Sequence, residues 1–278
     1  MTTPPILTDL STLACQRRRA TGLPGHSAAM FLHALAADNL QERLLEVNKR
    51  FTSPALISGF PGIWHDLLPE ALQTEPTELL PLAQATHDLV IHALSLHWAN
   101  DPLGQLIQCR RALIPDGLFL GVLFGGRTLQ ELRAVLAEAE SRVTGGLSPR
   151  ILPMGEIRDL GALMQRAGFA LPVADSVTQT VHYADLPALM ADLRAMGETS
   201  ALGARPRHFT RRRIFDEAEA IYQENFPAPE GRVRATFELV FLTGWSPHDS
   251  QQQPLRPGSA KARLADALRV PELPLKND

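Results

Sequence analysis

Hydrophobic and polar positions near the start of the chain alternate with the period of an amphipathic helix. Four apolar residues follow one another at spacings of four, three and four, and these are Leu40, Leu44, Val47 and Phe51. Residues at such intervals lie on one face of a helix, so the pattern predicts a helix over 28–51. A short apolar run comes next and predicts a first strand over 55–58.

The stretch from residue 87 to residue 126 has the pattern of a β-α-β unit. Its first apolar run, 89–96, is nearly continuous, as in a strand that is buried on both faces. Asp101 and Pro102 mark a helix start, because Asp accepts hydrogen bonds from free backbone N–H groups and Pro has none to leave unpaired. A turn is predicted at 116–117, before a second strand over 118–124. Parallel strands need helices on both faces of their sheet, so the predicted fold class is α/β.

The later part of the chain alternates helical and strand patterns. The predicted helices cover 127–143, 156–167, 184–197 and 211–223, and the predicted strands cover 169–183 and 232–245. From this organisation we expect an N-terminal helical segment (1–52), an α/β domain (53–245) with a helical insertion at about 185–225, and a C-terminal tail (246–278).

Composition and charge exclude several classes of protein. The chain has 278 residues, of which 45% are apolar and 21% charged, as in an ordinary globular protein. A formal net charge of −3 gives no general attraction to nucleic acid, so no nucleic-acid partner is predicted. Arginine clusters at 17–19 and 211–213 are interpreted as solvated helix ends rather than phosphate sites.

The cysteine pattern and the termini bear on the compartment. Cys15 and Cys109 are the only cysteines, which favours a reducing compartment and excludes a disulfide framework. No apolar run approaches the ~18 residues of a membrane helix, and no secretory signal is recognisable. The sequence therefore predicts a cytoplasmic protein without a membrane span.

Several motifs resemble a known family. "LSLHWANDP", "RRALIPDGLFLG", "LMADLRAMGETSAL" and "QQQPLRPGSA" are similar to class I S-adenosylmethionine (SAM)-dependent methyltransferases of the BioC-like group. They resemble more closely the mitochondrial complex I assembly factor 5 family and its bacterial relatives, over about residues 86–270. The resemblance implies a Rossmann-like methyltransferase sheet, SAM as cofactor, and a small carboxylic acid or a protein as substrate.

The resemblance leaves the function open. The first alternative is a SAM-dependent methyltransferase. The second is a non-methylating member, either a protein hydroxylase or an assembly factor with a respiratory-complex subunit as its partner. The third is a non-catalytic binding module. Whether the chain is an enzyme is therefore undecided, and no catalytic residue is assigned.

One stretch departs from the pattern of these relatives. Where they carry an acidic residue and a glycine-rich loop, this chain has "LISGFPGIW". Gly59 and Gly62 remain, but Ser58 replaces the acidic pattern, and Phe60 and Pro61 occupy the loop. Pro61 has no N–H to donate to a cofactor.

The segment that follows is short. Only 28 residues separate Gly59 from Asp88, too few for two helices and two strands. We therefore expect the sheet to lack one helix-strand pair, with a short helix within 65–73 and a strand within 76–82. Neither Glu75 nor Glu78 is assigned as the acid that would bind the ribose.

Candidate site residues lie where strands end, because open α/β sheets bind ligands at the carboxyl edge. The predicted cofactor-binding residues are Gly59, Gly62, Ser95, His97 and Trp98. Four of them have a structural alternative: the two glycines as a plain turn, Trp98 as core and His97 as a strand cap.

Four polar residues are predicted to bind substrate, since arginine can fork onto a carboxylate or a phosphate. They are Arg127, Arg150, Gln252 and Arg256. A surface ion pair is the alternative for the first two, and a structural latch for the last two. No metal site is predicted, because His87, His92 and His97 alternate faces of a strand and no carboxylate accompanies them.

Overall fold

The computed structural model describes residues 6–252. Its centre is a six-stranded sheet in the order β2-β1-β3-β4-β6-β5. The strands are β1 (Pro54–Ser58), β2 (Leu72–Thr74), β3 (His87–Ala93), β4 (Leu113–Phe124), β5 (Ala170–Tyr183) and β6 (Val233–Trp245). Strands β1 to β4 pair in parallel, and β6 lies antiparallel between β4 and β5. The predicted α/β class with a Rossmann-like sheet is confirmed.

The described part of the chain has eight α-helices, three of them before β1 and five between later strands. They are α1 (Leu10–Thr21), α2 (His26–Ala29), α3 (Phe31–Glu46), α4 (Pro102–Ala112), α5 (Gln130–Thr144), α6 (Ile157–Arg166), α7 (Leu186–Met196) and α8 (Arg212–Asn225). Apolar clusters fill both faces of the sheet, and β3 is buried along its whole length. Residues up to Pro247 form one compact unit, and His248 opens a second.

The sheet is shortened after β1, as expected, but the connecting elements differ from the prediction. A single 3-10 turn, Pro61–Trp64, follows β1, and the predicted short helix within 65–73 is absent. The strand predicted within 76–82 is wrong, because the chain pairs with β1 earlier, through Leu72–Thr74. The three residues of β2 form a strand because they pair with the buried strand β1, and not because they are apolar.

The predicted β-α-β unit is present. Asp101 caps α4 by accepting a hydrogen bond from the Gly104 N–H at 2.8 Å. The predicted turn at 116–117 is wrong, since β4 runs through it as an irregular strand with Asp116 at φ +59°. Helices α1 and α2 pack against α7, which brings the N-terminal segment over the carboxyl edge of β1 and β3. In the described part of the chain, none of the helices is both long enough and apolar enough to cross a membrane.

Candidate functional site

The backbone N–H groups of the loop after β1 donate hydrogen bonds to side chains of the same protein. The Gly59 N–H donates to Ser95 Oγ at 3.1 Å, and the Phe60 N–H donates to Ser58 Oγ at 3.1 Å. Ser95 Oγ in turn donates to the Ala93 carbonyl at 3.1 Å. The hydroxyl of Ser95 therefore joins the end of β3 to the loop, and Pro61 adds no further donor.

The side chain of Arg17, on α1, lies directly against this loop. A Cβ placed on Gly59 would collide with Arg17 Nη1, so the guanidinium needs a residue without a side chain at this position. Arg17 is only 7% exposed and also lies over the Phe60 ring, 5.7 Å from its centroid. Nε and Nη2 of Arg17 have no hydrogen-bond partner among the described residues.

Glu198 follows the end of α7 and is the anion that faces Arg17. The Trp98 indole N–H donates to Glu198 Oε2 at 2.7 Å, and His97 Nε2 lies 3.2 Å from the same oxygen. Because a carboxylate only accepts, His97 carries its proton on Nε2. Glu198 Oε1 lies 3.9 Å from Arg17 Nη2, and the Glu198 side chain is 6% exposed.

These neighbours keep the Glu198 side chain ionised. Burial alone raises the pKa of a carboxyl, but here the charge and hydrogen bond of His97, with Arg17 and Trp98, outweigh burial and lower the pKa of Glu198 to about 2. Burial lowers the pKa of Arg17, and the charges of Glu198 and Glu75 oppose that shift. Glu198 is therefore an anion at neutral pH beside the Arg17 cation.

Aromatic rings enclose the other side of the Arg17 guanidinium. His33 contacts Phe60 edge to face at 5.5 Å and Trp64 at 5.8 Å between ring centroids. His33 is 1% exposed, and burial lowers its pKa to about 3, so it is neutral at pH 7. The Arg17–Glu198 pair thus lies in a largely apolar interior.

A cavity of about 480 Å³, here called the edge cavity, opens beside the loop after β1. Its lining includes Arg17, Gly59 and Phe60 as well as the two acidic residues Glu75 and Glu78. Glu75 comes directly after β2, at the carboxyl end of a strand parallel to β1. An acid at this position can accept hydrogen bonds from the hydroxyls of a ligand.

A second cavity of about 260 Å³, here called the apolar cavity, lies between the sheet and α5, α7 and α8. Its walls are mainly leucine, methionine and phenylalanine side chains, among them Phe124, Met190 and Phe237. Trp98 and Glu198 also line it. Since Glu198 faces Arg17 as well, the buried carboxylate links the apolar cavity to the edge cavity.

The predicted cofactor residues come together only in part. Gly59, Ser95, His97 and Trp98 meet around the loop and Glu198. Gly62 does not join them: it is exposed in the 3-10 turn, and a Cβ placed on it would have open space around it. The structural alternative, a plain turn, describes Gly62 better.

The predicted substrate residues are scattered. Arg150 lines the apolar cavity and is held by Glu140 through two hydrogen bonds of 3.1 and 2.7 Å. Arg127 has an exposed side chain and lines neither cavity. Gln252 is exposed and belongs to the second unit, and Arg256 lies outside the described residues.

Three residues of this arrangement were not assigned from the sequence: Arg17, Glu75 and Glu198. Arg17 lies in a cluster interpreted as a solvated helix end, but packing of α1 on α7 buries it while its neighbours Arg18 and Arg19 stay exposed. No signal in one sequence pairs it with a glutamate 181 positions later. Glu75 follows a strand too short to recognise by periodicity.

The three histidines considered for a metal have separate partners. His87 contacts the Ser53 carbonyl, His92 contacts Gln105, and His97 contacts Glu198. Within residues 6–252 no three His, Cys, Asp or Glu side chains converge as a metal site would require.

Comparisons with known proteins agree with the fold. Residues 28–121 match the methyltransferase domain family model. The chain is 40% identical over 196 residues to the mitochondrial arginine-hydroxylase NDUFAF5 of Danio rerio, covering 70% of this chain and 61% of that protein. It is 33% identical over 177 residues to the malonyl-[acyl-carrier protein] O-methyltransferase of Laribacter hongkongensis, covering 64% and 57%.

The chain therefore spans about three fifths of the length of these relatives. Among solved structures, the BH2331 protein of Bacillus halodurans has a TM-score of 0.48 and 12% identity, covering 75% of this chain and 99% of that one. The matched domain and these two relatives show that the chain is similar to methyltransferase-domain proteins, both to the arginine-hydroxylase NDUFAF5 group and to the malonyl-[acyl-carrier protein] O-methyltransferases.

Proposed function

We propose that this chain is a non-methylating member of the superfamily with a degenerate cofactor site, and that its apolar cavity binds a small carboxylic acid or a segment of a protein partner. The observation that carries this proposal is the state of the loop after β1. Both of its first N–H groups are bonded to serine hydroxyls, and a guanidinium lies on Gly59.

Relatives that use SAM hold its carboxypropyl group through backbone N–H groups of this loop. Here the N–H groups of Gly59 and Phe60 already have acceptors, and Pro61 has no N–H. The residues present therefore do not fit SAM in the way usual for the superfamily.

The apolar cavity is the better candidate for ligand binding. Its apolar walls suit the stem of an acid or an apolar peptide side chain. The resemblance to the assembly factor family makes a respiratory-complex subunit the first protein partner to test. The relatives named as arginine-hydroxylases make an arginine-containing segment a natural choice of peptide. The cytoplasmic location stays a prediction, and the name of these relatives places them in mitochondria.

A second function, SAM-dependent methyl transfer, is favoured by one observation. Glu75 follows β2 and lines the edge cavity together with Gly59, where it could accept hydrogen bonds from ribose hydroxyls. Methyl transfer depends mainly on positioning two reacting groups, so no fixed catalytic residue is needed.

Isothermal titration calorimetry with SAM and S-adenosylhomocysteine separates the two functions. We expect no heat at millimolar ligand from protein whose cooperative unfolding has been verified. Micromolar binding that is weakened by Glu75→Gln, but not by Glu70→Gln at an exposed neighbouring glutamate, would overturn the non-methylating function.

A further inference from the structure

Strand β5 forms one border of the sheet and is paired on one side only. Among residues 6–252, β6 is its one neighbouring strand. From residue 176 to residue 183 the strand reads SVTQTVHY, of which half is valine or threonine, residues that favour extended backbone. This stretch contains no lysine, arginine, acidic residue or proline, which are the residues that usually protect an edge strand from pairing with another chain.

The pairing of β5 with β6 shows which backbone groups of β5 point outward. Thr180 lies opposite Thr236. The Thr236 N–H donates to Glu131 Oε2 at 3.1 Å, and the Thr236 carbonyl accepts from the Leu129 N–H at 2.7 Å, so neither group bonds to β5. Hydrogen-bonded and non-hydrogen-bonded pairs alternate in an antiparallel ladder. The N–H and C=O groups of Thr180 therefore point to the open border, and so do those of Thr178 two residues earlier.

These outward groups are accessible and weakly bonded within the chain. The Thr180 carbonyl accepts a hydrogen bond of 3.4 Å from the Gln179 side-chain amide, which is long and exposed. The one acidic side chain of β5, Asp175, is held by Arg43 at 2.6 Å. The residues with outward backbone groups also have exposed side chains, and they are Ser176, Thr178, Thr180 and His182. The border is thus a row of backbone donors and acceptors without a repelling charge.

The sequence of this border is complementary to itself. Residues 177–181 read V-T-Q-T-V, which is the same in both directions. When two such strands pair antiparallel about Gln179, Val177 of one lies opposite Val181 of the other, and Thr178 lies opposite Thr180. Cross-strand pairs of β-branched residues and of threonines are favourable, and no like charges face each other in this register. An unrelated strand has no reason to match the palindrome, whereas a second copy of the chain does.

We propose that two copies of this chain pair through β5, antiparallel about a twofold axis at Gln179, so that their two six-stranded sheets become one continuous sheet. In this arrangement Thr178 of each copy forms a hydrogen-bonded pair with Thr180 of the other, because these residues carry the outward backbone groups. A twofold contact uses the same surface on both copies and is closed, so it forms a dimer and not a filament.

Two exposed apolar side chains lie next to the paired stretch. Leu171 is 50% exposed and Val173 is 55% exposed, and both belong to the start of β5. In the antiparallel register, the partner chain that continues past its Tyr183 passes beside this start of the strand. Dimer formation therefore removes apolar surface from water in addition to pairing the backbone.

The test is sedimentation velocity of the full chain over concentrations from about 1 to about 200 µM. A strand-to-strand contact is small, so we expect a dimer with a dissociation constant on the order of 10 µM. Thr178→Lys combined with Thr180→Lys places like charges directly opposite each other at two positions and should weaken the dimer by at least about tenfold. Thr178→Lys combined with Thr180→Glu places opposite charges there and should retain the dimer within about threefold.

The control adds the same two positive charges elsewhere. Thr86→Lys combined with Ser141→Lys changes exposed residues outside β5 and should dimerise like the unmodified protein. All four substituted positions are exposed, so circular dichroism and thermal unfolding can verify that each variant is folded. A folded chain that stays monomeric throughout would overturn the proposal and turn the search to a strand of another protein. A dimer that tolerates the two lysines on β5, or one that is lost equally in both β5 variants, would also overturn it, because the register about Gln179 would then be wrong.

Discussion

Arg17 and Glu198 face each other across 3.9 Å in the interior, and the chain between them includes five of the six strands of the sheet. The pair ties the N-terminal helix α1 to the end of α7. It also places a cation on Gly59 and an anion on the wall of the apolar cavity. Five expected outcomes depend on this pair and on the buried groups of the same interior.

Removing the charge of Glu198 should destabilise the protein strongly. Glu198→Gln leaves the buried Arg17 cation without its counter-ion, which typically costs about 3–5 kcal/mol. Guanidinium unfolding measures the loss. Glu138→Gln, which breaks an exposed pair with Arg142, should change stability by less than about 1 kcal/mol.

The Arg17–Glu198 pair also predicts that two substitutions have non-additive effects on the free energy of unfolding. Adding Arg17→Met to Glu198→Gln removes the uncompensated cation, so the double variant should be more stable than Glu198→Gln alone. A double variant whose loss is the sum of the two single losses would show that the two charges do not interact.

Acid should destabilise the protein well before its carboxylates are protonated. Burial lowers the pKa of His33 to about 3 and that of His92 to about 4, whereas an unfolded histidine titrates near 6.5. The unfolded state therefore binds more protons between these values, and stability falls as the pH drops below about 6.5. Each histidine can contribute about 1.4 kcal/mol per pH unit.

Unfolding midpoints at pH 7 and pH 5 measure this slope. His33→Phe should reduce it, while His65→Gln, at an exposed histidine, should leave it unchanged. Below about pH 4.5, protonation of unfolded Glu198 adds a loss of the same sign that continues toward pH 2. An equal stability at pH 7 and pH 5 would contradict the buried, neutral state of both histidines.

Gly197 should not tolerate a side chain. It has φ +81°, and a Cβ there would lie 2.7 Å from Phe60 Cζ, so Gly197→Ala combines backbone strain with a clash. We expect a loss of about 1–3 kcal/mol from the strain alone, and more from the displacement of Glu198 next to it. Gly145→Ala, with φ +74° and open space, should show the strain without the clash.

Gly59→Ala tests whether Arg17 really occupies the loop. The new methyl group would displace the buried guanidinium, with a cost of about 1–3 kcal/mol for overpacking. In an Arg17→Ala background the same substitution should cost much less. The cost of Gly59→Ala in the free energy of unfolding, measured in both backgrounds, differs by the energy of the clash with Arg17. Equal costs would mean that the Arg17 side chain does not contact Gly59.

The sheet could be predicted from the sequence because its strands are long and their flanking signals are local. Each of these signals involves residues close together in sequence. They are the apolar run of β3, the Asp101 cap of α4 and the apolar faces of the helices. Strand β2 could not be located from the sequence, because three largely exposed residues are too few to show an alternation of apolar and polar positions. They form a strand only because they pair with β1.

The candidate site was predictable only where it follows strand ends. Gly59, Ser95, His97 and Trp98 lie at such ends, and the carboxyl-edge rule places them together. Arg17 lies on α1 and Glu198 follows the end of α7, and the packing of these helices depends on the whole fold, so the contact between the two residues is a tertiary effect. The arginine cluster at 17–19 was interpreted as solvent-exposed, and the fold instead buries Arg17 with Glu198.

The shortened sheet also has a consequence for self-association. A sheet that lacks a strand has a new edge strand at its border, and an unpaired edge strand can form hydrogen bonds with strands of other molecules. Here that border is β2, only three residues long and followed closely by Pro76, so it offers few hydrogen-bonding groups. At the opposite border, Pro172 and the left-handed Leu171 interrupt β5. The β2 edge of the reduced sheet is thereby a poor template for aggregation, whereas β5 is interrupted only at its start and pairs continuously with β6 from Val173 to Tyr183.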